Sequence, residues 1–360
     1  MQRCSLCILP ETYPGIIFDQ AGVCNVCGVS IDNLKEVAKF NQEDANKQLL
    51  STLLRYRGVG PYDCIVAFSG GRDSAYVLYY AVRILGLKVL AFTVDHGYLP
   101  DHTKENISNA VSILKVDHLY ETHEMLQKSI RPVLKAWMHR PSAKTVSLIC
   151  LGCRQAMRVN LILAARKHGS SIILNGSGES GTRDYLAMKF FAPDENTPNR
   201  KRKVITGFAG EILTNPQFLL HPELLLQMIR EYRKVTTSWQ NKDAQDYVRS
   251  VSLFEYIPWD EDEIMRTIQS ELKWQKAPWS EASWRSDCKI AMLKSYLYMQ
   301  TVGFTTNDIM VSEMIRDGKI TREDGLKRIA RENIISRDSV HKLCAEIGVA
   351  PERLIGLTEN

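Results

Sequence analysis

A doubly wound parallel α/β fold is predicted for this 360-residue chain by three features. Short apolar, β-branched runs alternate with helical stretches between residues 63 and 175. The runs lack polar alternation, as strands covered on both faces do. A glycine turn joins the first run directly to the helix after it. The elements follow in order. A polar helical stretch around residues 31–55 leads in, and Cys64-Ile65-Val66-Ala67-Phe68 centres a strand over 63–68. A helix is expected over 73–86, a strand over 88–94 and a helix near 104–115. A short strand at 117–121, helices near 123–138 and 154–168, and the strand Ser171-Ile172-Ile173-Leu174-Asn175 complete the series. Parallel neighbours need such crossovers, and a ligand belongs at the carboxyl ends of the strands. That rule gathers Phe68-Ser69, Val94-Asp95-His96 and Asn175-Gly176 around one crevice.

Composition bounds the class. Apolar residues make up 44% and charged residues 24%, ordinary for a globular protein. The length admits a nucleotide-binding domain and at least one further module. No stretch has the apolar length of a membrane span, and Met1-Gln2-Arg3-Cys4 opens without an apolar signal region, so a cytoplasmic location is expected. Nine cysteines then point to metal binding or chemistry rather than disulfides. A net charge of +5 suits a small anionic substrate; a nucleic-acid partner is not expected.

Cys4-x2-Cys7 and Cys24-x2-Cys27, sixteen residues apart, have zinc-knuckle spacing. Each pair aims two thiolates at one tetrahedral centre, and the intervening loop, with Gly15 and Gly22, has too little core to hold itself. Four thiolates leave no open position for water, which makes the expected zinc structural. Free core cysteines or an iron centre are the alternatives.

Ser69-Gly70-Gly71-Arg72-Asp73-Ser74 is a strand-to-helix phosphate loop. Its glycines and hydroxyls let backbone N–H groups converge on a phosphate at a helix N-terminus. No G-x-x-x-x-G-K-[ST] occurs in the chain. The segment resembles the PP-loop ATP pyrophosphatases, which implies cleavage of ATP between its α- and β-phosphates. Ala67, Phe68, Ser69, Gly70, Gly71, Asp73 and Ser74 are the expected nucleotide contacts, joined by Val94 and Gly176 at neighbouring strand ends. Asp73 beside a polyanion implies magnesium between them. Asp73, Arg72 and Glu179, the carboxylate of Asn175-Gly176-Ser177-Gly178-Glu179-Ser180, are the catalytic candidates. Against this stand simple helix caps at Ser69 and Asp73, an outward-facing Arg72 and an ordinary helix-start acid at Glu179. Asp95 and His96 read either as an acid–base pair or as a capped turn.

Beyond residue 200 the texture turns helical. The basic run Arg200-Lys201-Arg202-Lys203 reads as an exposed loop or boundary. Helical spacing covers Arg285 to Thr301, Thr305 to Arg316, Thr321 to Ile334 and Ser336 to Ile347, punctuated by Gly303, Gly318 and Gly348. The expected division is a knuckle over 1–35, the ATP pyrophosphatase domain over 36–205 and a helical substrate or partner domain over 206–360.

Several further segments carry a resemblance. Cys4-Ser5-Leu6-Cys7-Ile8-Leu9-Pro10-Glu11-Thr12, Glu255-Tyr256-Ile257-Pro258-Trp259-Asp260, Trp284-Arg285-Ser286-Asp287-Cys288 and Met314 through Glu323 look like the N-acetyl sugar amidotransferase family of surface-polysaccharide, lipopolysaccharide and nonulosonic acid biosynthesis. The resemblance spans nearly the whole chain. It implies that an N-acetamido group of a nucleotide sugar is adenylated on its oxygen and converted by ammonia to an acetamidino group. It also implies a glutaminase subunit and a cyclase-like companion that channels ammonia. The chain itself has Gln2 where an amino-terminal glutaminase needs cysteine, and no cysteine stands in a G-x-C-x-G elbow. Arg72 stands where members usually have Lys.

A second cysteine set, Cys150, Cys153 and the distant Cys288, has two readings. In tRNA-thiolating members of the PP-loop class, C-x-x-C with a remote cysteine holds a 4Fe–4S cluster with one open iron. Otherwise the pair is a tight turn or second metal site and Cys288 packs in a helical domain. The first reading makes the chain a sulfurtransferase acting on tRNA or a small molecule. Cys64 and Cys344 are expected in the core. Trp284, Arg285, Asp287, Arg316 and Arg322 are candidates for the sugar nucleotide or for a domain seam.

Overall fold

A computed structural model describes residues 1–28, 42–176, 186, 189–193, 198–222, 226 and 248–355. Five strands, β1 (Cys64–Ala67), β2 (Val89–Asp95), β3 (Asp117–Thr122), β4 (Ile172–Asn175) and β5 (Arg249–Ser252), form one sheet in the order β3-β2-β1-β4-β5. Every pairing is parallel, with Ile65 opposite Leu90 and Ile173, and Leu174 opposite Val251. The helices of the first half are α1 (Gln42–Leu54), α2 (Arg72–Tyr79), α3 (Asp101–Leu114), α4 (Met125–His139), α5 (Ala143–Leu148) and α6 (Leu151–Lys167). The second half adds α7 (Arg200–Leu213), α8 (Pro216–Leu219), α9 (Glu261–Leu272), α10 (Lys289–Val302), α11 (Thr306–Arg316), α12 (Arg322–Glu332), α13 (Arg337–Ile347) and α14 (Pro351–Ile355).

Strand side chains alternate between two apolar layers. Cys64, Val66 and Phe68 pack with Leu49 and Leu53 of α1, Val77 and Leu78 of α2, Ile107 of α3 and Ile264 and Ile268 of α9. Ile65, Leu90, Phe92 and Ile173 face the other way, onto Ile162 and Ala165 of α6. Burying a Val, Leu or Ile side chain contributes about 1.5–3 kcal/mol, so continuous apolar strands are stable only with both layers present.

The structure differs from the sequence reading at three places. The fifth strand and α9 come from the segment assigned to the helical region. Arg249-Ser250-Val251-Ser252 carries one apolar residue, so its pairing with β4 supplies what its pattern does not. Arg200–Lys203 is no loop: it opens α7, after Asn199 in the left-handed conformation (φ 57°), because Lys and Arg are good helix formers. The helix after the glycine turn stops its α geometry at Tyr79 and continues as a π-helical turn over Tyr80–Ile84. Cys64 and Cys344 are buried as expected. No helix among the described residues is long and apolar enough to cross a membrane.

A separate core joins the N-terminal knuckle to α4, α5, α10 and α13, around Trp137, Leu293, Leu297 and Phe304. Ile8, fully buried with φ 72°, packs on Met310, Val311 and Ile329. A left-handed β-branched residue costs about 1–3 kcal/mol and persists where packing over-determines it.

Candidate functional site

The glycine turn sits at the carboxyl end of β1, in the middle of the sheet. Gly70 has φ 80°, and a Cβ there would lie 2.7 Å from Ile107 Cγ1 and 2.9 Å from Thr103 Cγ2 of α3. Only glycine fits both the angle and the space. Trp274 Nε1 donates to Gly70 O at 3.0 Å and fixes the turn from behind. Ser69 and Ser74 face one another with hydroxyls 3.1 Å apart, Ser69 N donates to Ser74 Oγ at 3.2 Å, and Gly71 N donates to Ser69 Oγ at 3.3 Å. The first bond of α2 runs from Ala75 N to Gly71 O. The N–H groups of Arg72, Asp73 and Ser74 therefore project from the open end of the helix. Ser74 Oγ also donates to Gly71 O at 3.0 Å, so the two hydroxyls brace the turn from within and the open amides form an anion cradle beside them.

The neighbouring strand ends close in as the topology requires. Phe68 N donates to Phe92 O at 2.9 Å, and Thr93 Oγ1 donates to Phe68 O at 2.7 Å. Val94 is buried beside them, and Ala67 ends β1. A Cβ on Gly176 would lie 3.2 Å from the Asp73 carbonyl, so the bare glycine lets its own backbone rest close to the loop. Glu179 lies outside the described residues. Asp95 and His96 form the capped turn: Asp95 accepts from Gly97 N (2.7 Å) and Tyr120 Oη (2.6 Å), and His96 Nδ1 accepts from Tyr98 N (3.3 Å). Burial holds His96 below the usual imidazole range, against the pull of Asp287 and Asp95.

Arg72 faces neither solvent nor the cradle. Its side chain is 2% exposed. Nε and Nη2 donate to the two oxygens of Asp73 at 2.8 and 3.3 Å, and Nη1 donates to Glu261 Oε1 at 2.6 Å and Ser283 Oγ at 2.8 Å. The guanidinium also lies 4.9 Å from the Trp259 ring, whose Nε1 donates to Asp73 Oδ1 at 3.3 Å. Glu261, at the N-terminus of α9, accepts from Arg328 of α12 at 2.6 and 3.0 Å. Burial pushes the Glu261 carboxyl up, but bonds from Arg328 and the charges of Arg72 and Arg328 together outweigh it and hold the group down at about 2. A sequence reading has no signal for this pairing, since its members are 189 and 67 residues apart.

A second carboxylate stands over the loop. Asp287 Oδ2 lies 3.0 Å from where a Cβ on Gly71 would be, and its charge reaches His96 and His102. The next residue, Cys288, starts α10, and its thiol is raised well above the usual range, first by burial and then by Cys150, Asp287 and Cys153. Burial likewise pushes Cys153 up to about 12, with Cys150 adding to it. The fold thus brings the three cysteines into one neighbourhood beside Asp287. Their sulfurs do not close to the mutual spacing of the N-terminal set, which is the one such cluster among the described residues.

Cys4, Cys7, Cys24 and Cys27 are all buried, with sulfurs within 4.8 Å of one another. The Cys4–Cys27 and Cys7–Cys24 sulfurs are 3.9 and 3.7 Å apart. Ligands about 2.3 Å from one tetrahedral ion lie about 3.8 Å apart, so the set fits a single metal. Backbone N–H groups of Leu6, Cys7 and Cys24 point at Cys4 Sγ at 3.2–3.4 Å. Hydrogen bonds from Cys24 and Cys27 hold the Cys7 thiol well below the usual range, as suits a thiolate ligand. Arg316 is drawn to Cys7, and Arg322 Nε donates to Cys4 O at 3.2 Å. Both arginines therefore pack at the knuckle seam.

Together the fold and loop define a parallel α/β protein with an anion cradle at the carboxyl end of its first strand and a four-thiol centre at its N-terminus. No family model matches the chain. Over 114 residues, 31% of its length, it is 31% identical to the uncharacterized protein MJ1599 of Methanocaldococcus jannaschii, spanning 39% of that protein. Among solved structures it aligns with the tRNA thiolase NcsA of Methanococcus maripaludis with its 4Fe–4S cluster (15% identity, 91% of this chain and 89% of that one, TM-score 0.36). It also aligns with NMN synthetase from Francisella tularensis (13% identity, 56% of this chain and 96% of that one, TM-score 0.27).

Proposed function

We propose that the protein is an ATP-dependent adenylating enzyme of the PP-loop kind, which attaches AMP to an unreactive carbonyl oxygen so that a nucleophile can displace it. The supporting observation is the open helix end at Arg72–Ser74, whose three amides precede the first bond of the helix and lie beside the Ser69–Ser74 hydroxyl pair. In this reading Ser69, Gly70, Gly71 and Ser74 hold the departing pyrophosphate, and Val94 and Gly176 border the nucleotide. An amide oxygen is a poor leaving group; AMP is a good one, and its formation supplies the driving force. Asp73 Oδ2 keeps a free lone pair, and no hydrogen bond engages Asp287 among the described residues, so both fit magnesium, which when bound offsets phosphate charge. The N-terminal thiolates are assigned to structural zinc.

The acceptor proposed is the N-acetyl group of a nucleotide-linked sugar, and the nucleophile is ammonia delivered by a separate glutaminase with its cyclase-like companion. The sequence resemblance supports this reading, and the Trp284–Cys288 segment that carries part of it stands over Gly71. The test incubates the protein with ATP, Mg2+, ammonium and UDP- or CMP-linked N-acetyl sugars. Pyrophosphate and AMP should form only with a true acceptor, and the product should be lighter by the difference between oxygen and NH. Full turnover by the purified chain with glutamine as the nitrogen source would remove the glutaminase partner.

One observation favours a second reading, a sulfurtransferase. Cys150, Cys153 and Cys288 share one neighbourhood with Asp287 beside the loop, as three cysteine ligands of a 4Fe–4S cluster would need to. Anaerobic purification separates the two. A brown protein whose product gains sulfur in place of oxygen supports thiolation; a colourless protein with one zinc per chain supports amidination.

A further inference from the structure

We infer that Glu261 is a positioning residue for the phosphate loop: by sharing Arg72 with Asp73, it keeps the Asp73 carboxylate available at the loop instead of wholly neutralised by Arg72. The inference rests on the adenylating reading and goes beyond it, since the residue belongs to α9, far from the loop in sequence. Arg72 is a fork with three nitrogens in use: one edge holds Asp73 and the remaining nitrogen holds Glu261 and Ser283. Ser283 Oγ itself donates to Glu261 Oε1 at 2.6 Å, which closes a triangle around Nη1. Behind it Arg328 grips both oxygens of Glu261 and pairs at 2.8 Å with Glu332, itself 4% exposed.

The charges alternate along this chain from Asp73 through Arg72, Glu261 and Arg328 to Glu332. Each buried cation is therefore balanced on two sides. Without the Glu261 charge, Asp73 would alone compensate Arg72 and would be drawn more tightly onto it. An Asp73 so held is a poorer partner for a divalent cation, and the loop loses its means of tolerating a polyanion. The guanidinium is also kept off the phosphates, so the cradle works through backbone N–H groups and not through a side-chain clamp. A lysine at this position could not serve both carboxylates in the same way, because a single ammonium has no fork.

The experiment titrates ATP and Mg2+ into the full chain by calorimetry, with wild type, Glu261→Gln, Arg72→Lys and the double variant. Glu261→Gln is expected to weaken ATP binding and to raise the Mg2+ concentration needed for half-saturation, both by about 10-fold or more, the scale on which partners of ligating carboxylates act. In the Arg72→Lys background the same change should have little effect, since the shared fork is gone. Ser283→Ala removes one hydroxyl without altering charge and should shift both quantities the same way by less; it serves if Glu261→Gln fails to fold. Glu261→Gln with unchanged ATP and Mg2+ titrations, even at a lower melting temperature, would overturn the inference. So would additive effects in the double variant. Wild type that binds no ATP would instead remove the adenylating reading, and the positioning role with it.

Discussion

At Gly71 the space is tight but the angle is ordinary (φ -75°). An added methyl would meet Asp287 Oδ2 at 3.0 Å and Ser69 Oγ at 3.3 Å, side-chain ends that must give by a few tenths of an ångström, so Gly71→Ala should weaken ATP binding in an equilibrium titration while the far-UV spectrum stays native. Gly70→Ala meets the side chains of α3 at under 3 Å and needs φ 80°, and urea unfolding should show a loss of about 1–3 kcal/mol. Glu261 makes a pH prediction. Its carboxyl is held at about 2, below the ordinary 4.5, so the folded state gains from the ionised form above pH 4.5 and loses that gain as pH falls toward 2. Wild type should therefore lose stability across that window by more than Glu261→Gln does, as measured by urea midpoints at stepped pH. Asp73, the glycines and the two hydroxyls were legible in the sequence because a phosphate loop is local. Arg72 was not, because its role depends on partners 189 and 211 residues away.

At the scale of elements, the helix starts carry much of the order. Asp260 accepts from Glu263 N at 3.0 Å and caps α9, the helix that presents Glu261. Asp260→Ala should cost about 1 kcal/mol in urea unfolding. Thr305 and Asp308 form a capping box on α11, and Thr321 and Ser336 cap α12 and α13. The starts of α11, α12 and α13 fall within a residue of the positions predicted, since caps and apolar spacing are written in adjacent residues; α9 was not predicted. The π-helical turn after Tyr79 had no such signal. Neither did β5, whose alternating Arg, Ser, Val and Ser become a strand only because β4 offers an edge.

Across the whole molecule, the N-terminal thiol centre and the phosphate loop lean on the same C-terminal helices. Arg3 pairs with Asp308 of α11 at 2.8 Å, Thr12 Oγ1 donates to Val302 O at 2.6 Å, and Tyr13 lies 6.1 Å from Phe304. Asn307 and Asn333 join Asp308 to Glu332, the last member of the charge chain from Asp73. If the four thiols hold the proposed zinc, its removal with a chelator should release the knuckle from this seam. The expected result is faster proteolysis within residues 1–28 and a lower melting temperature, both restored by zinc; metal binding supplies about 10 kcal/mol in small zinc modules. The sequence by itself determined the cysteine pairs, the glycine turn, four of the five strands and the C-terminal helices, because each is a pattern of near neighbours. Only the tertiary structure decided that Arg72 turns inward, that Asp287 covers the loop, that Arg316 and Arg322 serve the knuckle and that Cys288 comes into the neighbourhood of Cys150 and Cys153. Those contacts depend on charges and side chains brought together by packing, and burial gives them a strength that no local pattern records.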